Sequence, residues 1–238
     1  MFTRTTHRPA LATTLRVLAH LLDYPNAELL QNLPFMRAAL HAQHTLGADR
    51  LHEIDTLIDQ LLDADDLDAE AAYVDLFDRG RGTALHLFEH VHGDSRDRGP
   101  AMIDLIKTYE EAGLQLASGE LPDHLTVVLE YASTQPPESA VGLLKEIAAI
   151  VRNIFSALTR RESAYASVLA ALLDLAGEPV HEVQVQHEPG LDESWSEPAA
   201  FDGCSTGGQR RPDEPQPVRV VKTPRRADPA QPAQGAPA

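Results

Sequence analysis

The stretch ADRLHEIDTLIDQLLDAD, residues 48–65, indicates the fold class more clearly than any other part of the sequence. Its apolar residues recur every three or four positions and form one stripe, made up of Leu51, Ile54, Leu57, Ile58, Leu61 and Leu62. The polar residues Asp55, Asp59 and Gln60 fall on the opposite side. This spacing is typical of an amphipathic helix. The segment therefore predicts a helix that buries one face only.

The same periodicity continues on both sides of this segment as far as Ala176. No sustained alternation of apolar and polar residues rich in Val, Ile and Thr interrupts it, so a β-sheet is not expected. Further helices are predicted from the positions of proline, glycine and capping residues. One begins at Asn26 and bends or restarts at Pro34, and another covers 94–111 with a separate or kinked first turn at Pro100. The others cover 10–22, 67–78, 83–91, 121–132, 138–158 and 162–175. About nine helices in one bundle, residues 1–177, make an all-α domain.

The composition changes after Gly177. Residues 178–238 are rich in Pro, Gly, Glu, Asp and Gln and have few large apolar side chains, so they cannot offset the entropy lost on folding. They predict a disordered tail, in which Arg and Lys outnumber Asp and Glu over 210–228. A solvated tail is a simpler interpretation than a docking arm, although the piece around Trp195 and Phe201 could fold onto the domain or a partner.

Charge and cysteine content exclude several classes of function. The 238 residues include 36 acidic and 20 basic side chains, a formal charge of −16, which repels phosphate backbones and anionic membrane surfaces. Nucleic acid is therefore not an expected partner. The single cysteine, Cys204, can form neither an internal disulfide nor a cysteine-rich metal cluster. Without a signal peptide or a segment apolar enough to enter a bilayer, no stable membrane insertion and a cytoplasmic location are expected.

The segment HLFEH, residues 86–90, matches the H-x-x-E-H pattern of some zinc peptidases. On a helix, His86 and His90 would lie four residues apart and could reach one ion, with Glu89 between them. A zinc-dependent hydrolase built on these three residues is the alternative from the enzyme class. A five-residue pattern recurs by chance in a chain with 11 histidines, so the simpler interpretation has Leu85, Leu87, Phe88 and Val91 supply the core contacts while the histidines lie on the flanks of the helix.

The sequence contains neither a nucleophile elbow nor a phosphate-binding loop, so nucleophilic catalysis and nucleotide chemistry are not predicted. Three charged or aromatic segments stand out instead: YVDLFD at 73–78, HGDSRDRG at 92–99 and ELPDH at 120–124. A purely structural interpretation has Asp94 capping a helix, Asp97 pairing with Arg98 or Arg81, and Tyr73 packing on Phe77. A polar network between helices can also shape a groove for a partner's amphipathic helix, so the two interpretations are compatible.

These three segments, in this order, resemble the NarJ family, the delta-subunit chaperones of respiratory nitrate reductase. The third segment extends to ELPDHLTVVLEYAS, and LLDYP at 21–25 and WSEPAAF at 195–201 are also similar to that family, so the resemblance covers the chain from about Leu15 to Phe201. The combination is more specific than HGDSRDRG alone.

The resemblance implies an all-helical, TorD-like fold and a cytoplasmic chaperone that has no catalytic residues or cofactor and is not part of the finished enzyme. It implies a partner, the apo catalytic (alpha) subunit of nitrate reductase, bound through its N-terminal segment. It also implies support of molybdenum cofactor insertion before that subunit docks on its membrane-bound partners. A chaperone for a different molybdoenzyme is the alternative within the fold.

The resemblance also implies which residues bind the client or shape its groove. They are Tyr73, Phe77 and Asp78, then His92, Gly93, Asp94, Arg96, Arg98 and Gly99, then Glu120, Leu121, Pro122, Asp123 and His124. The turn residues are expected to fix helix geometry, and the aromatic and leucine positions to line the groove. The net charge of −16 favours a basic client segment.

The sequence departs from the family pattern at two places. Pro100 follows HGDSRDRG where a helix-compatible residue is expected, and Thr126 stands where the family more often has proline. The first departure bears on where the helix after HGDSRDRG begins.

Overall fold

A computed structural model of the chain describes residues 7–93 and 95–184. Over these residues it contains nine α-helices, no strand and one isolated β-bridge, between His86 and His124. The helices are α1 His7–Leu21, α2 Ala27–Gln43, α3 Ala48–Asp63, α4 Asp66–Tyr73, α5 Leu87–His92, α6 Arg98–Glu111, α7 Leu125–Thr134, α8 Pro137–Arg160 and α9 Ala166–Ala176, and a π-helical segment, Val74–Asp78, continues α4. The predicted all-α fold is confirmed.

The core is centred on α9, whose residues 167–173 are all buried. A helix that is apolar all round is stable only when other elements surround it. Helix α9 packs on the long helix α8 and on α3, and α1 packs on α7 and α2. The chain thus encloses one hydrophobic core, to which every helix except α6 contributes a buried apolar residue.

Helix α3 buries most of the apolar stripe that the spacing of residues 48–65 predicts. Ile54, Leu57, Ile58 and Leu61 are buried, whereas Leu62 is 43% exposed. Because α3 packs mainly on α2 and α9, the buried face is narrower than the full set of apolar residues. The predicted one-sided helix is therefore confirmed, except at Leu62.

Several helices begin later than predicted. The helix expected over 83–91 begins at Leu87, and the helix expected over 121–132 begins at Leu125. Both starts follow the His86–His124 bridge, which holds the two preceding segments in extended backbone. Helix α6 begins at Arg98, so Pro100 occupies its first turn, where a missing N–H removes no intrahelical bond. Residues 95–97 form a turn separate from α6, so of the two expectations for the first turn the separate turn is confirmed and the kink at Pro100 is wrong. The expected restart at Pro34 is also wrong, because Pro34 lies inside the continuous helix α2.

The helix predicted over 67–78 ends in the π-helical segment. Its last carbonyl groups accept hydrogen bonds from side chains elsewhere in the chain: Thr83 Oγ1 and Arg161 Nη1 both donate to the Leu76 carbonyl. Gly80 lies against these groups, and a Cβ atom there would come within 2.5 Å of Thr83 Oγ1. The close approach requires glycine at this position.

The helical domain extends slightly past its predicted end. Glu178 forms an ion pair with Arg152 of α8 at 3.1 Å, and the Val183 N–H donates to Ser156 Oγ at 3.0 Å. Residues 178–184 therefore pack on the domain. The rest of the predicted tail, 185–238, lies outside the described residues. Among the helices described, none has both the length and the apolar composition of a bilayer-spanning segment.

Candidate functional site

Asp123, in the ELPDH turn before α7, is a charged residue with no exposed surface (0%). Its Oδ2 accepts a hydrogen bond from the Phe88 N–H at 3.1 Å, and its carbonyl oxygen accepts one from the Leu87 N–H at 3.0 Å. The first N–H groups of a helix have no partner within the helix. Asp123 therefore supplies the cap of α5 from a distant part of the chain.

Two cationic side chains from other segments face the same carboxylate. His86 Nδ1 lies 3.5 Å from Asp123 Oδ1, and Arg98 Nη2, at the start of α6, lies 3.6 Å from Oδ2 and 3.5 Å from Glu89 Oε1. Among the described residues neither Asp123 Oδ1 nor His86 Nδ1 has a hydrogen bond of good geometry, and the two groups form an ion pair when the imidazole is protonated. We call His86, Phe88, Glu89, Arg98 and Asp123 the Asp123 junction.

The pKa values in the Asp123 junction follow from its burial and its charges. Burial alone would raise the pKa of the Asp123 carboxyl, but His86, the Phe88 N–H and Arg98 outweigh burial and hold that pKa below its usual value. The Asp123 carboxylate in turn raises the pKa of the His86 imidazole, against the opposing effect of burial. A buried carboxylate is thus kept ionised by partners from three segments.

The β-bridge joins the same two segments through the backbone. The Leu125 N–H donates to the Leu85 carbonyl at 2.8 Å, and the rings of His86 and His124 meet edge to face, with centroids 4.9 Å apart. Burial and the neighbouring His86 lower the pKa of His124. Thr126 Oγ1 shares a hydrogen bond of 2.6 Å with His124 Nδ1, which gives the hydroxyl at this departure from the family pattern a structural role.

The ELPDH turn is also tied to α6. Tyr109 is buried, and its hydroxyl donates to the Pro122 carbonyl at 2.7 Å. Glu120 and Leu121, at the start of the turn, are exposed. Next to the turn lies a pocket of about 470 Å³, which we call the α1–α7 pocket; its lining includes Arg16, Asp23, Tyr109, Leu116, Glu120, Thr126, Glu130 and Tyr131. The turn therefore forms part of a pocket wall.

The HGDSRDRG segment makes a tight turn between α5 and α6. Gly93 has φ = 51° and ψ = −127°, a conformation that a residue with a side chain rarely adopts. The Asp97 N–H donates to Ser95 Oγ at 3.2 Å, and the Ser95 hydroxyl donates back to the Asp97 carboxylate at 3.3 Å. Arg98 turns to Glu89 and Asp123, so its predicted pairing with Asp97 is wrong.

The remaining predicted residues of this turn do not all contact the junction. His92 packs its ring edge to face on Phe88, with centroids 5.4 Å apart. Arg96 and Gly99 are exposed, and a Cβ atom at Gly99 would meet nothing within 4 Å. Asp94 lies outside the described residues, so its predicted capping role stays a prediction.

Tyr73, Leu76 and Phe77 of the YVDLFD segment lie in the core. Tyr73 and Phe77 are buried, and their rings pack on each other, at 4.7 Å between centroids, and on Tyr165. The Tyr73 hydroxyl donates to the Leu22 carbonyl at 2.7 Å, and Tyr24 packs edge to face on the Tyr73 ring. We call Tyr24, Tyr73, Phe77 and Tyr165 the aromatic cluster. Both rings are buried in the core, and the expectation that they line or shape a groove stays a prediction.

Asp78, at the end of the same motif, is exposed. The structure brings Arg98 of HGDSRDRG into contact with Asp123 of ELPDH, and the charge of Asp78 of YVDLFD acts on the pKa of His124 in ELPDH, raising it. Residues that sequence reasoning missed are His86 and Tyr109, which contact the ELPDH turn, and Asp23, which lines the α1–α7 pocket. His86 lies 37 residues from its partner Asp123, and no local signal in the sequence links them.

The geometry of HLFEH does not support a zinc site. Helix α5 begins at Leu87, so His86 and His90 do not stand four apart on one helix. His86 faces Asp123, and His90 Nε2 donates to the Ala84 carbonyl at 2.8 Å. Over residues 7–93 and 95–184, no group of three or more His, Cys, Asp or Glu side chains is placed to hold a metal ion. Glu89 instead contacts Arg98.

Comparisons with known proteins agree with the motifs. Residues 43–171 match the family model described as nitrate reductase delta subunit. The chain is 44% identical over 186 residues to NarJ of Escherichia coli, named a nitrate reductase molybdenum cofactor assembly chaperone; the match covers 78% of this chain and 79% of that protein. It is 38% identical over 179 residues to NarW of the same species, covering 75% of this chain and 74% of NarW.

A solved structure has the same fold. The crystal structure of a proposed redox enzyme maturation protein from Archaeoglobus fulgidus matches with a TM-score of 0.50 and 18% sequence identity, over 70% of this chain and 94% of the other. At this level of identity the similarity concerns the fold alone.

Proposed function

The chain belongs to the nitrate reductase delta subunit family, and we propose that it is an assembly chaperone for respiratory nitrate reductase. It binds the N-terminal segment of the apo catalytic subunit in the cytoplasm and supports insertion of the molybdenum cofactor. It acts before that subunit docks on its membrane-bound partners, and it is not part of the finished enzyme. The similarity to the two Escherichia coli proteins, which are named as assembly chaperones of nitrate reductase, supports the assembly role.

The observation that carries the proposal is the α1–α7 pocket beside the ELPDH turn. The turn is fixed from three directions: by Asp123 through the cap of α5, by Arg98 at the start of α6, and by the Tyr109 hydroxyl on Pro122. A wall fixed in this way is preorganised, and preorganisation lowers the entropy lost when a peptide binds. We therefore expect the motif residues mainly to hold the pocket wall in place, while other residues make some of the contacts with the client.

The chemistry of the motif residues favours binding over catalysis. The Asp123 carboxylate is enclosed, and its polar atoms face Phe88, His86 and Arg98. A general acid or base has to reach the proton that it transfers. Asp123 has no exposed surface, so its charge is used within the protein.

Release of the client follows from competition. A segment held by the chaperone is also needed by the folding catalytic subunit, and the more stable of the two contacts determines where it resides. A polar, charged pocket wall suits this role, because contacts through exposed charges contribute little individually. The chaperone can therefore hold the segment without trapping it.

Calorimetric titration of the full chain with a synthetic peptide from the N-terminus of a nitrate reductase catalytic subunit tests the proposal. The wild type and Arg98→Ala are compared with Arg50→Ala, whose arginine forms ion pairs with Glu53 and Asp174 away from the pocket. We expect binding by the wild type and by Arg50→Ala and about tenfold weaker binding by folded Arg98→Ala.

A peptide from the catalytic subunit of a different molybdoenzyme serves as the specificity control. Absence of binding to the nitrate reductase peptide by folded wild-type chain would overturn the proposal. Equal affinity for both peptides would overturn its restriction to nitrate reductase.

A further inference from the structure

Another pocket, of about 490 Å³, is lined by α3, by α4 with its π-helical end, and by the loop that joins α8 to α9. We call it the α3–α4 pocket. It shares no lining residue with the α1–α7 pocket, so the two are separate sites. Its floor consists of buried apolar side chains, which include Leu57, Leu61, Ala69 and Leu76. The floor therefore offers a place for an apolar group of a ligand.

Tyr165 brings a polar group to this apolar floor. It lines the pocket although only 8% of its surface is exposed, and its ring is held edge to face against Tyr73 and Phe77. Among the described residues its hydroxyl has no hydrogen-bond partner, whereas the buried hydroxyls of Tyr73 and Tyr109 each donate to a carbonyl. Buried polar groups are nearly always hydrogen-bonded. A ligand with an acceptor would therefore supply the partner that the domain does not provide.

The rim of the α3–α4 pocket carries negative charge that the domain does not neutralise. Asp68 on α4 and Glu162 in the loop after α8 line different walls, and among the described residues neither forms an ion pair. The sole Lys or Arg that lines the pocket is Arg161, whose Nη2 lies 3.0 Å from Asp75 Oδ2 and donates to the Asp75 carbonyl at 3.2 Å. Because Asp75 engages this arginine, the rim favours a cationic group on the ligand.

Floor, hydroxyl and rim together define the chemistry of an occupant. An apolar side chain fits the floor, a carbonyl oxygen can accept from the Tyr165 hydroxyl, and a cation complements Asp68 and Glu162. A peptide segment in which an apolar residue stands beside arginine or lysine carries all three groups within two residues. A phosphate-bearing ligand is disfavoured, because its charge would face the carboxylates of the rim. The pocket is therefore suited to a basic segment of a protein.

We propose that the α3–α4 pocket is a further protein-interaction site, which binds a partner's segment through one apolar residue beside an arginine or lysine. Glu162 and Asp68 select the basic side chain, and the Tyr165 hydroxyl donates to a backbone carbonyl of the segment. The inference does not rest on the proposed function, because this pocket and the α1–α7 pocket have no residue in common. It assigns a binding role to the loop between α8 and α9.

Titration of the full, ¹⁵N-labelled chain with the dipeptide acetyl-leucyl-arginine amide, followed by two-dimensional NMR, tests the site directly. The matched probe is acetyl-leucyl-glutamine amide, which has the same backbone and apolar side chain but no charge. We expect saturable shifts of the amide signals of lining residues, among them Ala69 and Ala164. The neutral dipeptide should bind several-fold more weakly, because it lacks the cation that complements the rim.

Two variants separate the contributions of charge and hydroxyl. Glu162→Gln should weaken binding of the arginine dipeptide several-fold and leave the glutamine dipeptide unaffected, so that the preference for arginine falls. Tyr165→Phe should weaken both dipeptides equally, because their backbones are identical. It should leave the urea midpoint of unfolding unchanged, since it removes no hydrogen bond within the described domain. Glu111→Gln, an exposed glutamate on α6 that lines neither pocket, is the control and should bind as the wild type does.

The outcomes distinguish this site from the α1–α7 pocket. Saturable shifts at the lining residues of the α3–α4 pocket, with a preference for arginine that Glu162→Gln reduces, would support the inference. Equal affinity for the two dipeptides would overturn it. So would an absence of saturable shifts at these residues, or shifts confined to the lining of the α1–α7 pocket. None of these results bears on the nitrate reductase peptide, which is titrated separately.

Discussion

The aromatic cluster around Tyr73 is held together by apolar contact, whereas the Asp123 junction is held together by charge and hydrogen bonds. The cluster takes Tyr73 and Phe77 from YVDLFD and buries both rings against Tyr165. The junction takes Asp123 from ELPDH and Arg98 from HGDSRDRG and sets them against His86. Residues of the same set of family motifs thus stabilise the domain by two different kinds of interaction.

The two kinds of interaction indicate different structural roles for the motifs. Apolar contact in a core is dense and tolerates little change of volume, so it fixes the relative positions of helices. A buried ion pair contributes little net stability, because desolvation opposes the attraction between the charges, but it allows few alternative arrangements. The cluster therefore accounts for stability, and the junction for the shape of the wall beside the α1–α7 pocket.

Removing a ring from the aromatic cluster should have the largest effect on stability. Phe77→Ala deletes a buried side chain that contacts Tyr73 and Tyr165, and we expect the free energy of unfolding to fall by about 3–5 kcal/mol. Urea denaturation measures this. Phe35→Ala, an identical change at an exposed position, should alter it by less than about 0.5 kcal/mol. Similar losses for both variants would show that the cluster is not part of the core.

Neutralising the centre of the Asp123 junction should have a smaller effect on stability and a larger one on binding. In Asp123→Asn, an amide oxygen can still accept the Phe88 N–H, but the charge facing His86 and Arg98 is lost. We expect the free energy of unfolding to fall by about 1–3 kcal/mol and the affinity for the client peptide to fall as well. Urea denaturation and calorimetry report the two quantities. Unchanged affinity in the folded variant would contradict the role assigned to the junction.

Two tyrosines allow one chemical change to be made in both regions. Tyr73 and Tyr109 each donate a hydroxyl hydrogen bond of 2.7 Å to a buried backbone carbonyl, that of Leu22 and that of Pro122. Replacing either by phenylalanine should cost about 0.5–1.5 kcal/mol of unfolding free energy. Only Tyr109→Phe should weaken peptide binding, because Pro122 belongs to the turn beside the pocket. Equal effects of the two variants on affinity would remove the functional distinction between the regions.

The smallest expected effect is a change of stability with pH. The folded-state pKa of His86 is raised from its usual 6.5, so its stabilising contribution is complete below pH 6.5 and is lost as pH rises through the raised value. The difference in unfolding free energy between the wild type and His86→Gln should therefore shrink from about pH 6 upwards. Because His86 also lowers the pKa of His124, the two proteins are compared in a His124→Gln background, so that the titration of His124 does not enter the difference. A difference that grows with pH would reverse the sign assigned to the pair.

Asp123 contributes in another pH range. Its folded-state pKa lies below the usual 3.8, so its contribution is present above that pH and is lost as pH falls through the lowered value. Asp123 therefore stays ionised throughout the pH range in which His86 loses its proton.

The sequence predicts those parts of the fold that depend on local spacing. Ile54, Leu57 and Ile58 repeat at helical intervals, and all three are buried on one side of α3. Tyr73 and Phe77, four residues apart, pack on each other as their spacing predicts. Contacts of this kind need only a regular backbone, and a regular backbone follows from the pattern itself.

The sequence does not predict what depends on distant partners. The start of α5 at Leu87 is set by hydrogen bonds to Asp123, and His86 is recruited to the same carboxylate rather than to a metal ion. The α1–α7 pocket was missed for the same reason, because its lining residues Asp23, Glu120 and Glu130 come from separate parts of the chain. Its one sequence signal is LLDYP, a segment similar to the family that contains Asp23 and Tyr24.

The bridge between His86 and His124 has a consequence for chain entropy. It pairs positions 38 residues apart and so closes a loop that contains the whole of α6. Closing a loop of this length costs about 3 kcal/mol beyond a constant term, since the cost rises with the logarithm of the number of residues. The interactions that converge on Asp123 offset this cost. Weakening them favours an open loop in which α6, and the pocket wall that it supports through Tyr109, is no longer held on the rest of the domain.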